Sequence, residues 1–177
     1  FIKEFALEKS LEPQLPNKYN DYYKLLEDFK FKKFSLDLII LATPSGLHAS
    51  QCISAAELGL NVCTEKPIAV NWRDGCKMVK TCSKNNVHLF VMLQNRLNST
   101  LKLLKKQIEK KRFGKISLVS INVFWHRSQS YYNQDDWRGT WEMDGGALMN
   151  QASHYVDLLY WLIGPVKTVN AFTATLG

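Results

Sequence analysis

No stretch of this chain is apolar for anything near the ~20 residues a membrane-spanning helix needs. The longest apolar run lies near Leu38–Ala42. The start, Phe1-Ile2-Lys3-Glu4, is charged, lacks the apolar core of a secretory leader and lacks an initiating Met, so the chain is expected to begin inside a longer gene product. Cysteine is scarce: Cys52, Cys63, Cys76 and Cys82 form no CxxC and fall in segments with helix or strand patterns. That usage excludes a disulfide frame and a zinc site, and suits small buried hydrophobes in a reducing compartment. The expected location is the cytoplasm, with no metal. Internal repeats and low-complexity tracts are absent as well.

Charge of one sign is not scarce, since the net charge is +7. The lysines are scattered, however, and the densest run, Lys102 to Arg112, has the spacing of the solvated face of an amphipathic helix. Neither nucleic acid nor a membrane surface is indicated, whereas a nucleotide-bearing substrate suits the sign. Hydrophobic content of 46% over 177 residues is ordinary for a globular protein of one large or two small domains.

The first 35 residues are lysine-rich; Phe1–Leu11 fits the tail of a helix, and Asn20 or Asp21 can cap another through Leu25, Leu26 and Phe29. The run 36–42, apolar apart from Asp37, closes at Thr43-Pro44-Ser45-Gly46, as a buried strand of a parallel sheet does. Helical spacing follows from His48 and stops at Gly59; a short strand at 61–64 leads into Glu65-Lys66-Pro67; Asn71 caps a second helix; 87–93 is a third strand. This alternation predicts a doubly wound α/β sheet with right-handed crossovers. Ligands of such sheets collect at the carboxyl ends of the strands. Those ends here are Thr43-Pro44, Glu65-Lys66-Pro67 and Gln94-Asn95-Arg96.

From Asn98 the style changes: a helix, then an alternating segment Ile116–Trp125 that reads as a strand with one polar face, then a loop carrying Arg127, Tyr131, Tyr132, Trp137 and Arg138. Gly145-Gly146 opens one long helix to Gly164, with a further strand from Val166. On that helix Asn150, His154 and Asp157 share a face. A histidine so flanked is either a satisfied core residue or part of a site, and helix geometry alone favours the core. Lys66 is held extended by the following proline at a strand end. The Lys66–Pro67 bond has a raised chance of being cis.

The order of buried strand, Thr43-Pro44 turn, His48, Glu65-Lys66-Pro67 and the Gly145–Asp157 helix resembles the Gfo/Idh/MocA family of nicotinamide-dependent oxidoreductases. That family has a Glu-Lys-Pro motif and a helix motif of the type GGxxxDxxxHxxD, here with Asn150 in the Asp place. The segments Ala42–His48, Gln94–Arg96 and Asn122–Val166 resemble its bacterial branch acting on UDP-N-acetyl-2-amino-2-deoxyglucuronate, in which Asn replaces that Asp.

The resemblance implies an incomplete Rossmann domain over residues 1–94, then part of an α+β domain with an open, mostly antiparallel sheet over 95–177. It implies NAD as cofactor and oxidation of a sugar C3 hydroxyl in diamino-uronate synthesis for surface polysaccharide. A UDP-sugar uronate is the implied substrate, with 2-oxoglutarate a candidate for recycling the cofactor. Lys66 and His154 would flank the hydroxyl, with His154 the expected base; the sequence leaves the reverse assignment open. Asn95, Arg96, Arg127, Asn150 and Gln151 would meet substrate, and Thr43, Pro44, His48, Glu65, Lys66, Trp137 and Arg138 the cofactor. Asp157 could orient His154 or tie helix to sheet. A homodimer or homotetramer is implied, with Ile116–Trp125 in the sheet that packs between subunits. The GxGxxG phosphate loop occurs nowhere in the 177 residues and is expected upstream of Phe1. Two rival readings are another sugar or inositol dehydrogenase of the family and a non-catalytic protein on a degenerate dehydrogenase scaffold.

Overall fold

The structure, a computed structural model, describes residues 19–174. The expected helix tail at Phe1–Leu11 lies outside them. Two compact units divide the chain, Phe1–Leu36 and Asp37–Gly177. In the first, α1 (Tyr22–Lys30) is capped by Asp21, whose side chain accepts from the Lys24 backbone N–H. Its one buried carboxylate, Asp28, accepts from Tyr19 Oη and Lys33 Nζ, each at 3.0 Å.

The second unit begins with three parallel strands in spatial order β1 (Leu38–Leu41), β2 (Asn61–Thr64) and β3 (Leu89–Val91). Ile39 pairs with Val62, and Val62 with Leu89. The crossovers are α2 (His48–Glu57) and α3 (Trp72–Lys84). Gly59 at φ +81° ends α2 where only glycine is at ease. Its N–H and that of Leu60 return to Ala56 and Ala55, the two bonds of a Schellman cap.

The core is the layer between sheet and helices: Leu41, Cys52, Ala55, Ala56, Val62, Met78 and Cys82 are all at or below 2% exposure. The opposite face of the sheet is bare, with Leu38 at 42%, Ile40 at 66% and Phe90 at 53%. The apolar run thus reads correctly as a parallel strand but not as one buried on both faces. Its even positions have no covering layer among the described residues. In α3 the buried stripe runs through Met78 and Cys82, while Val79 stands exposed.

Helix α4 (Ser99–Glu109) starts at Asn98, whose Oδ1 accepts from the Thr100 N–H at 3.0 Å. It packs against α7 (Ser153–Ile163), which follows the short helices α5 (Gln129–Tyr132) and α6 (Gly146–Asn150). The expected strands at Ile116–Trp125 and from Val166 form no ladder among the described residues. A strand exists through its hydrogen-bonded neighbour, and neither segment finds one. The expected one-sided burial is missing for the same reason, with Leu118 86% and Phe124 90% exposed.

Candidate active site

The turns after the three strands gather at one end of the sheet, and the 139–154 segment crosses over them. Gly46 makes the approach possible. Its N–H donates to the Met143 carbonyl at 2.9 Å, and a Cβ there would lie 2.5 Å from the Glu142 carbonyl oxygen. At Gly145 (φ +77°) and Gly146 (φ +80°) the chain then reverses into α6.

The expected long helix is broken. The Ala152 N–H reaches back five residues to the Ala147 carbonyl, and α7 restarts at Ser153. Such a wide turn inside a helical stretch is a frequent companion of functional sites. The Asn150 carbonyl, which an unbroken helix would offer to the His154 N–H, instead accepts Lys66 Nζ at 2.6 Å. Lys66 also donates to Asn150 Oδ1 at 3.2 Å, and Ser153 Oγ donates to the same Asn150 carbonyl at 3.3 Å. The Lys66–Pro67 peptide is cis, as its motif led us to expect.

Behind Asn150 lies a residue that the sequence reading missed. Asp144, 2% exposed, accepts from Asn150 Nδ2 through one carboxylate oxygen and from the Gly139 N–H at 3.2 Å through the other. The signal available in the sequence was a carboxylate set directly before a glycine pair in an otherwise apolar stretch.

His154 stands in the first turn of α7, with Nδ1 buried and without a hydrogen-bond partner. Burial lowers its pKa, and the Lys66 ammonium lowers it further; Asp157 and Glu65 oppose both. Lys66 is likewise lowered by burial, against the pull of Glu65 and Asp144. The two groups therefore share one electrostatic neighbourhood, in which the Lys66 ammonium favours the neutral imidazole.

Asp157 acts on His154 through its charge and directs its hydrogen bonds elsewhere. It receives a two-pronged bond from Arg96, with Nε at 2.8 Å from Oδ2 and Nη2 on Oδ1. Arg96 also lies over the Trp161 ring. Of the two roles left open for Asp157, the tie between helix and strand end is the one realised. The guanidinium commits two of its five N–H groups to that tie. Asn95, half-buried in the turn after β3, contributes its carbonyl to the Asn98 N–H.

His48 is 1% exposed, and both ring nitrogens are engaged, Nε2 with the Thr43 carbonyl and Nδ1 with that of Pro67, each at 2.9 Å. A neutral ring donates through one of these nitrogens only, and its position ties the ends of β1 and β2 together beside Thr43, Pro44 and Glu65. Thr43 Oγ1 donates to Gln51 Oε1 at 2.6 Å.

The loop residues form a stack. Arg127 lies between Trp125 and Tyr131, and Arg138 between Tyr131 and Trp137, at 4.6–5.2 Å from the ring centres. Arg138 also donates to Tyr131 Oη and Asp135. Arg127 and Gln151, both expected at substrate, line one pocket of about 430 Å³ with Trp125, Tyr132 and Leu148. Gln151 Nε2 is buried and unpartnered. A separate apolar groove of about 500 Å³, between α4, α7 and residues 113–121, holds none of the site side chains.

Polar strand ends beside a lysine and a half-buried histidine suit the nicotinamide end of a dinucleotide. No glycine turn for its phosphates occurs in the sequence. Among the described residues no cluster of side chains could hold a metal ion, and no helix is long and apolar enough to cross a membrane.

Comparison with known proteins agrees with this geometry. Residues 4–93 match the oxidoreductase family with an NAD-binding Rossmann fold, and residues 101–177 match the GFO/IDH/MocA C-terminal domain. The chain is similar to the WlbA dehydrogenase of Bordetella pertussis, solved with NADH and UDP-GlcNAcA: 50% identity, TM-score 0.86, 98% of this chain and 49% of that one. It is equally similar to the WlbA dehydrogenase of Chromobacterium violaceum, solved with the same two molecules, at 51% identity and TM-score 0.86 over 100% of this chain and 50% of that one. A levoglucosan dehydrogenase of Pseudarthrobacter phenanthrenivorans is 28% identical over 97% of this chain and 43% of the relative. The chain thus spans about half the length of the relatives it matches.

Proposed function

Because the chain belongs to the Gfo/Idh/MocA oxidoreductase family, we propose that the intact protein is an NAD-dependent dehydrogenase that oxidises the C3 hydroxyl of UDP-GlcNAcA to a ketone. The observation that carries this reading is the 50–51% identity to two dehydrogenases solved with NADH and UDP-GlcNAcA. The neighbouring charge of Lys66 and a half-buried His154 whose Nδ1 is unpartnered support it.

In this reading the sugar C3 hydroxyl sits between Lys66 Nζ and His154. Burial and the ammonium keep the imidazole neutral, so it can accept the hydroxyl proton. Lys66, anchored on Asn150, points its remaining N–H at the same oxygen and stabilises the negative charge that develops there. Bound at the strand ends, NAD would supply the acceptor for the hydride leaving C3. Thr43, Pro44 and Glu65 would hold its nicotinamide end, and Trp137 and Arg138 would close over it from the loop. Arg127, Gln151 and Asn95 would meet the nucleotide sugar, with the Gln151 amide satisfied by it. The protein would act in the cytoplasm as a homo-oligomer, supply a 3-keto sugar for diamino-uronate and surface-polysaccharide synthesis, and use 2-oxoglutarate to return its cofactor to the oxidised form.

The test is turnover by the purified full-length protein. NADH formation, or deuterium exchange at the sugar, is expected with UDP-GlcNAcA and not with UDP-GlcNAc, inositol or levoglucosan. Equal rates with a free sugar or inositol would sink the substrate assignment; no turnover of any of them would favour the scaffold reading.

A further inference from the structure

We propose that Asp144 is a positioning residue of this site, acting through Asn150 to fix where the Lys66 ammonium points. The inference rests on the reading of Lys66 as the group at the substrate hydroxyl. An amide has one accepting and one donating end, and nothing within Asn150 decides which of them faces Lys66. Asp144 decides it. A carboxylate accepts only, so with Asp144 on Nδ2 the oxygen Oδ1 must turn towards the ammonium. Asp144 is itself pinned by the Gly139 N–H and by its own N–H on the Thr140 carbonyl, so the whole relay hangs from the backbone of one loop. The buried carboxylate and the ammonium are thereby paired through a neutral amide instead of in contact. Two of the three ammonium N–H groups lie on Asn150, and the third is left for a ligand.

The groups acting on Lys66 are Glu65 beside it and Asp144 from the loop before α6; Lys66 acts in turn on His154, which also feels Asp157 and Glu65. Replacing Asp144 with an amide exchanges an acceptor-only group for one that can present either end, and removes a charge that favours the ammonium. Adding a carboxylate at position 150 does the reverse to the charge.

The experiment compares wild-type, D144N, N150D and the exchanged pair D144N/N150D in the full-length enzyme, using pH profiles of kcat/KM and NMR titration of isotope-labelled lysine. For D144N we expect kcat to fall roughly ten- to a hundred-fold with little change in KM. The limb set by Lys66 and its NMR titration should both move towards acid by about half a unit or more. N150D should move both towards base, and the exchanged pair should return them to or beyond the wild-type position. Unchanged lysine titration and pH limb in D144N overturn the proposal. If D144N does not fold, an unmoved N150D overturns it instead. Failure of the wild type to oxidise UDP-GlcNAcA would sink the functional reading, while the lysine titration still decides the role of Asp144.

Discussion

The two sides of the site are built on opposite principles. On the β2 side the polar groups form a linked chain: the ammonium on Asn150, the amide on Asp144, the carboxylate on a backbone N–H. On the α7 side the nearest polar groups are left wanting, with His154 Nδ1 and Gln151 Nε2 buried and unpartnered. Folding normally removes such atoms, because each costs about 1–3 kcal/mol when buried without a partner. A satisfied half is rigid before any ligand arrives; an unsatisfied half gains its missing bonds from one. On the proposed function, the first half holds geometry and the second receives substrate.

The sharpest way to break this contrast is to remove each partner in turn. Lys66→Met and His154→Ala should each reduce kcat in the full-length enzyme by about 10²–10⁴-fold. They should part company in stability. Lys66→Met strands the Asn150 acceptors and should cost about 1–2 kcal/mol, whereas His154→Ala removes an orphan and should leave the denaturant midpoint nearly unchanged. Equal destabilisation by both would erase the distinction. Next in size, Gly46→Ala drives a methyl into the Glu142 carbonyl, and should lower stability by about 1–3 kcal/mol and weaken turnover through displacement of the loop that carries Asp144.

Asp157→Asn should cost less, about 1–2 kcal/mol for the half-exposed Arg96 pair. It should also lower the His154 titration further, since Asp157 is one of the two groups holding it up. Imidazole NMR would show whether that shift occurs. The smallest effect is linkage. His154 titrates lower in the fold than its ordinary 6.5, so the unfolded chain binds more protons just below that value. Stability is complete above 6.5 and declines as pH falls from there to the folded value. Urea unfolding at about pH 7.5 and about pH 5 should therefore differ less in His154→Gln than in the wild type.

Local signals carried much of this architecture into the sequence. The caps at Asp21, Asn71 and Asn98, the glycine stop at Gly59 and the three strand runs were legible because each is decided within a few residues. Lys66 and His154 could be singled out from strand-end placement and family resemblance. What stayed hidden depends on partners distant in the chain. The break after Asn150 is stabilised by a lysine 84 residues away, and Arg96 finds Asp157 across 61 residues. Asp144 goes unmarked because its burial comes from the fold of the loop and not from its neighbours in sequence. The strands expected at 116–125 and from 166 failed for a related reason, since alternation states which faces differ and not whether a neighbour exists.

The sulfur pair in the core has a practical consequence. Cys52 and Cys82 bring their Sγ atoms to 3.7 Å between α2 and α3, and burial with the neighbouring thiol pushes Cys52 up to about 12. A thiol so held is almost never the thiolate that alkylating reagents attack. Its labelling rate is then gated by the opening of the helices that cover β1 and β2. The protein carries its own chemical clock for the integrity of that layer, readable by mass spectrometry without any engineered probe.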